Sequence, residues 1–161
     1  MSTTPDTVTG AQMEAWQRLL RAHCVLARDL DNELRSTHGM TISDYDVLVQ
    51  LRDAEDDCLK MSDLSRRTML TRSGMTRLVQ GLERDGLVER RACDADARVS
   101  YAVLTPAGQT RLAEARATHH SGIRRVFADH FSDAEAAQLS SLLAQIPGVD
   151  ADGPVCCGGD D

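Results

Sequence analysis

Between Leu64 and Leu82 the chain carries four arginines, Arg66, Arg67, Arg72 and Arg77, and no acid, although the protein as a whole has a net charge of −7. Arg72, Ser73, Thr76, Arg77 and Gln80 fall at spacings that place them together on the outer face of a helix. Their guanidinium, hydroxyl and amide groups can donate to phosphate oxygens or to base edges. Met75, Leu78, Val79 and Leu82 recur on the opposite face and form an apolar stripe. Thr71 suits the N-cap, where its hydroxyl can accept from an orphan amide of the first turn. Gly86 suits the stop, because it tolerates the left-handed conformation beyond the C-cap. Upstream, Ser62 is the expected cap of a shorter helix. A short helix, a tight turn and a donor-rich second helix describe a helix-turn-helix that reads duplex DNA, with Ser62, Thr71, Arg72, Ser73, Thr76, Arg77 and Gln80 as its candidate contacts. The same residues also describe an amphipathic surface helix whose polar face is merely solvated, and short patterns of this kind recur by chance.

Other chemistry is less organised. No GxSxG, HExxH or phosphate-cradling glycine loop is present, so no catalytic constellation is indicated and no cofactor is implied. Five histidines occur, but adjacent His119 and His120 project about 100° apart on a helix and are poorly placed to share one ion. No metal site is expected. The five cysteines, Cys24, Cys58, Cys93, Cys156 and Cys157, are odd in number and lack metal-like spacing, which argues against a secreted disulfide framework.

The candidate reader needs elements to position it. Downstream, Leu87–Arg91 alternates as a strand and Ser100–Leu104 as a second, joined by a polar loop from Ala92 to Val99. The helix-turn-helix is therefore followed by a two-stranded wing. From Met61 to Ser100 eight arginines face six acids, a net of +2, so the remainder carries −9. A DNA-binding head on an acidic body accounts for that asymmetry.

Before the head, a helix is predicted from Gln12 to Ser36 with Trp16, Leu19, Leu20, His23, Leu26, Ala27, Leu30 and Leu34 on one stripe. That stripe is too long for a small domain to bury and implies a partner surface. His38-Gly39 ends this helix. Ser43, with Asp46 as a variant capping box, is the expected start of the next, whose core face is Tyr45, Val47, Leu48 and Leu51. After the wing, Pro106 opens a helix expected to run from Ala107 to His130. Ser132 with Glu135 is a capping box that opens a last helix, which Pro147-Gly148 breaks. The first residues and the tail GVDADGPVCCGGDD are expected to be disordered. The start MSTTPDTVTG has neither a basic nor an apolar signal region, and no apolar run approaches the roughly 18 residues of a membrane span, so a cytoplasmic protein is expected.

The run Gly86-Leu87-Val88-Glu89-Arg90-Arg91, followed by Asp96-Ala97-Arg98 and Leu104-Thr105, resembles the passage from recognition helix into wing, with its DxR…LT signature, of the multiple antibiotic resistance regulator (MarR) family. The order of elements over residues 12–146 is similar too. The resemblance implies a mainly α fold with a small β-wing. Residues 42–106 would be the winged helix-turn-helix head, 12–41 and 107–147 a helical dimerisation body, 1–11 a disordered N-terminus and 148–161 a flexible tail. It implies a strand at Cys58-Leu59-Lys60 closing the wing sheet, and a minor-groove role for Arg98, with Asp96 bracing the wing by pairing with an arginine. It further implies a homodimeric regulator of transcription, a repressor at a pseudo-palindromic operator, with double-stranded DNA as partner and no membrane.

Two branches of the family bear on effectors. Peroxide sensors carry a first-helix cysteine, but counting back from Tyr45 that position falls near Gln17, not at Cys24. Members responding to urate and related aromatic acids use a first-helix Trp and a second-helix Asp, which Trp16 and Asp46 match, although Gly81 stands where one of that branch's arginines would be. A small aromatic acid held by Trp16, His23, Tyr45 and Asp46, with Arg90 or Arg91 as counter-charge, is the resulting expectation. Some members bind zinc. A metal- or thiol-sensing member, and a winged-helix adaptor that binds protein instead of DNA, are the alternatives.

Overall fold

The computed structural model describes residues 7–68, 70–93, 96 and 98–149. Among these residues there are six α-helices and a three-stranded antiparallel sheet: α1 Gly10–His38, α2 Ile42–Arg52, β1 Cys58–Lys60, α3 Met61–Arg67, α4 Arg72–Arg84, β2 Val88–Ala92, β3 Ser100–Leu104, α5 Pro106–Val126 and α6 Asp133–Leu143. A mainly α chain with a small β-wing is what the sequence predicts. The tail cysteines Cys156 and Cys157, and most of both expected disordered ends, lie outside the described residues.

Helix α1 begins two residues earlier than expected, because Thr9 and Gln12 form a reciprocal capping box at its start. It ends at Gly39, whose φ of 67° closes the helix with its amide on the Arg35 carbonyl. At 29 residues it is about 43 Å long, and its own chain buries only Leu30 and Leu34 near the C-terminal end.

The cap of α2 is Thr41, not Ser43. Thr41 Oγ1 accepts from the Asp44 amide at 3.0 Å, and Asp44 reaches back to the Thr41 amide at 2.8 Å. Both residues have an acid three positions on, so spacing alone could not separate them. The start at Thr41 also leaves the Ile42 amide for Asp31 of α1, at 2.9 Å, which satisfies a second orphan donor. Six of the eleven α2 residues are buried, on all sides of the helix. Around it pack Leu64, Met75, Val79, Leu82, Ala102, Leu104, Leu112 and Ala115, which makes α2 the centre of the core.

The sheet order is β1-β3-β2. Cys58 pairs with Val103, and Val88 with Leu104, so the expected β1 does close the wing sheet, over three residues. The base of the wing is tied by Thr105. Its hydroxyl donates to the Gly86 carbonyl at 2.7 Å and accepts from the Gly108 amide at 3.0 Å, joining the end of α4 to the start of α5. Helix and strand approach closely there: a Cβ on Gly108 would lie 2.1 Å from the Leu87 carbonyl oxygen.

The C-terminal half departs from expectation in two ways. Helix α5 stops at Val126 and a 3-10 turn, Ala128–His130, follows, with the Phe127 and Phe131 rings tilted against each other at 4.9 Å. Helix α6 has the predicted Ser132–Glu135 capping box, ends at Leu143, and buries no residue. Phe131, Leu142 and Ile146 remain exposed, as do Met13, Trp16 and Leu20 on α1. No helix among the described residues is long and apolar enough to cross a membrane.

Candidate nucleic-acid interface

The α3–α4 pair is short and tightly set. Helix α3 has no side-chain cap: Lys60 holds the N-cap position and Ser62, expected there, lies inside the first turn. The reason is β1, which runs straight into the helix and leaves Lys60 in an extended conformation at the junction. Arg66 pairs with Asp63 one turn away, and Thr68 Oγ1 donates to the Leu64 carbonyl at 2.9 Å, closing the helix end. Thr71 caps α4 as predicted, accepting from the Gly74 amide at 3.1 Å. With Met75, Val79 and Leu82 fully buried, the orientation of α4 is fixed, and Arg72, Ser73, Arg77 and Gln80 stand in solvent.

A cleft of about 390 Å³ separates this helix pair from the wing. Ser62, Arg72, Thr76 and Arg98, four of the predicted contacts, line it. Thr71, Ser73, Arg77 and Gln80 lie on α4 or at its start without lining the cleft. The cleft also contains Lys60, Ser65 and Arg90, which sequence reading did not assign to it. Among the described residues no acidic side chain lines it.

Arg90 was legible in principle. In a strand, alternate side chains share a face, so Arg90 lies on the same side as buried Val88. It therefore turns toward α4, where its guanidinium is 4.0 Å from the Glu83 carboxylate. Glu89 and Arg91 occupy the other face and pair with each other at 3.1 Å. The Arg91 hydrogen bond holds the Glu89 carboxyl below the usual carboxylate range.

Asp96 braces the wing tip by a different bond from the one expected. Its carboxylate accepts the Arg98 backbone amide at 2.9 Å, while its carbonyl accepts the Val99 amide at 2.9 Å. This local turn presents the Arg98 side chain, which is exposed. Ala97, between them, lies outside the described residues.

The four expected effector residues do not line one cavity. Trp16 is 55% exposed, about 10 Å along α1 from His23. Tyr45 is fully buried, with its ring 4.6 Å from that of His119, and Asp46 is 7% exposed. His23 does line a cavity of about 220 Å³ between α1 and α5, with Leu30, His119, Ile123 and Phe127 among its walls. Neither Arg90 nor Arg91 lines it. Cys24 is exposed, Cys58 and Cys93 are half-buried, and all three are free. Burial pushes the Cys58 thiol up. Among the described residues no three His, Cys, Asp or Glu side chains gather as a metal site would require.

A family model described as MarR family matches residues 38–99, which span the end of α1, α2, the helix-turn-helix and the first strand and loop of the wing. YetL of Bacillus subtilis, an HTH-type transcriptional repressor, is 32% identical over 108 residues, covering 67% of this chain and 64% of its own length. The chain thus spans less than two thirds of that curated relative. AbsC from Streptomyces coelicolor, a MarR family transcriptional regulator, is 31% identical and superposes with a TM-score of 0.78 over 85% of this chain and 92% of its own. Sco3205 from the same organism, a MarR family transcriptional regulator solved in complex with DNA, is 26% identical with a TM-score of 0.82, covering 95% and 98%.

Proposed function

The chain belongs to the MarR family, and on that premise we propose that it is a DNA-binding transcriptional regulator, acting as a repressor at a pseudo-palindromic operator that it reads as a homodimer. The observation that carries this reading is the cleft between α4 and the wing, lined among the described residues by four cations and no acid in a protein of net charge −7. Cations are concentrated where a duplex would lie, and the acid is elsewhere, which favours specific docking over general adhesion to DNA. The Arg72–Gln80 face enters a major groove and Arg98 the neighbouring minor groove, where narrow A·T tracts concentrate negative potential.

Dimerisation is supported by what a single chain leaves uncovered. Helix α6 buries no residue, and the first turns of α1 expose Met13, Trp16 and Leu20. Apolar surface on this scale calls for a partner, and a second copy supplies the matching face. Trp16 is assigned to that interface. As releasing ligand we propose a small aromatic acid bound in the α1–α5 cavity beside His23. Such a ligand must favour the DNA-free arrangement of the two heads, by linkage.

The test is a titration of the purified protein against a duplex selected from fragmented genomic DNA, alongside sedimentation. A salt-dependent shift of the selected duplex over a scrambled one, by a species of twice the chain mass, is expected. A dimer that shifts neither duplex but retains a protein partner would establish the adaptor reading instead.

A further inference from the structure

We propose that the cleft between α3, α4 and the wing is a phosphate clamp, in which Lys60 and Arg90 hold one backbone phosphodiester of the bound duplex between Arg72 on the major-groove side and Arg98 on the minor-groove side. The inference rests on the DNA-binding reading above and adds to it two residues, Lys60 and Arg90, that are not among the DNA contacts expected from the sequence.

The argument is topological. A helix in the major groove and a hairpin tip in the adjacent minor groove stand on either side of the sugar–phosphate strand that divides the two grooves. That strand must cross the gap between α4 and the wing. The gap is this cleft, and the side chains that line it are the ones the strand would meet.

The chemistry of the walls suits a monoanion. Lys60 comes from the β1–α3 junction, Arg72 from the first turn of α4, Arg90 from the inward face of β2 and Arg98 from the wing tip. Four cations from four segments converge, and among the described residues no acid is in the lining. Glu83 faces one of these cations, with its carboxylate 4.0 Å from the Arg90 guanidinium. At that separation Glu83 steers the guanidinium without saturating it, since a good charge-assisted bond would be about 2.8 Å. Arg90 also stands on a paired strand, so less backbone freedom is lost on binding than for an arginine on a loop.

The hydroxyls divide by availability. Ser65 Oγ donates to the Met61 carbonyl at 3.0 Å and Thr76 Oγ1 to the Arg72 carbonyl at 2.9 Å, so their protons are committed to the helix. Ser62, exposed in the first turn of α3, and Ser100 at the start of β3 make no such bond among the described residues and are the hydroxyls left to donate. The clamp therefore reads charge and position, not sequence. That separates Lys60 and Arg90 from Arg77, whose loss should act on the cognate site alone.

Arg90→Gln and Lys60→Gln test the assignment, each checked for an unchanged melting temperature, with Arg77→Ala as the comparator. Affinity is measured for the selected duplex and a scrambled one from 50 to 200 mM KCl. Each neutral variant should weaken both duplexes by the same factor and lower the salt slope by about 0.9, so that its deficit relative to wild type shrinks about 3.5-fold across that range. Replacing single operator phosphates by neutral methylphosphonates should reveal one position per half-site at which Arg90→Gln no longer has any effect. An unchanged slope in both variants, with the Arg77→Ala defect intact, overturns the clamp and leaves the DNA reading standing. If Arg90→Gln alters only competition by inorganic phosphate at constant ionic strength, the cleft holds a free anion and the clamp is again overturned. If the wild-type protein binds no duplex at all, the clamp falls together with the reading beneath it.

Discussion

Thr105 offers the sharpest view of how the head is held together. Its hydroxyl makes two bonds at once, donating to the Gly86 carbonyl at 2.7 Å and accepting the Gly108 amide at 3.0 Å. Thr105→Val preserves shape and the extended backbone of the N-cap, with φ −86° and ψ 162°, so no cavity or strain enters. What is lost is the cap of α5, about 1 kcal/mol, and the bridge to the end of α4, about 1 kcal/mol. A total of roughly 2 kcal/mol corresponds to a fall in melting temperature of about 4–8 °C for a chain of this size. Thr105→Ser keeps both bonds and serves as the control. Scanning calorimetry at fixed protein concentration reads the difference directly. Because the bridge ends at Gly86, where α4 gives way to the wing, DNA affinity should fall with it. A valine variant that melts with the wild type, or a serine variant that melts with the valine one, would refute the assignment of both bonds.

Further expectations concern the interface, the wing, packing and pH. Arg77→Ala should cost roughly 1–3 kcal/mol against the cognate duplex and little against a scrambled one, measured by fluorescence anisotropy; equal losses on both would remove it from base contact. Arg98→Ala should weaken binding and lower the salt slope by about one, and an unaltered slope would take the wing tip out of the minor groove. Gly108→Ala should destabilise by about 2 kcal/mol in chemical denaturation. The Leu87 carbonyl at 2.1 Å cannot yield as a side chain would, although alanine's helix propensity returns part of the loss. Burial pushes the Asp31 carboxyl up, but the Arg35 guanidinium and the Ile42 amide outweigh it and hold the group below its ordinary value. A folded value below the unfolded one means that its contribution is complete above the unfolded value, near ~4, and is lost as pH falls through the folded one. Asp31→Asn should therefore lower the melting temperature at neutral pH and flatten its decline below about pH 4; an unchanged acid limb would show that the α1–α2 link is not felt in stability.

What the sequence made legible follows from periodicity. The α4 stripe of Met75, Val79 and Leu82 is buried as read, because one helix face meets the core and the other meets water. The wing strands were visible because one sheet face is inward and the other is not. Helix α2 was harder. It is buried on all sides, so its pattern carries little phase, and its start was misplaced by two residues between Thr41 and Ser43. The choice was settled by Asp31, eleven residues upstream of Ile42, and no local rule sees that bond. Ser62 was misread as a cap for a related reason, since β1 enters α3 without a loop.

At the candidate interface, sequence supplied Ser62, Arg72, Thr76 and Arg98 but not the fact that they face one another across a cleft. Lys60 and Arg90 enter only through the β1-β3-β2 arrangement, which sets both outer strands beside the helix pair. The effector quartet fails to assemble because Trp16 lies on the part of α1 that its own chain leaves bare, whereas Tyr45 and Asp46 belong to the core helix. A match of residue types on two helices says nothing of how those helices are phased about their axes.

The central claim, that α4 and the wing of two heads grip one duplex, is tested most directly by hydroxyl-radical footprinting of the wild-type protein on its selected site. The account predicts two protected windows related by a two-fold axis, with half-site centres about 10 bp apart, and minor-groove protection at the outer flanks that disappears in Arg98→Ala. A single continuous window without symmetry, or a pattern unchanged by loss of both Arg77 and Arg98, would contradict it.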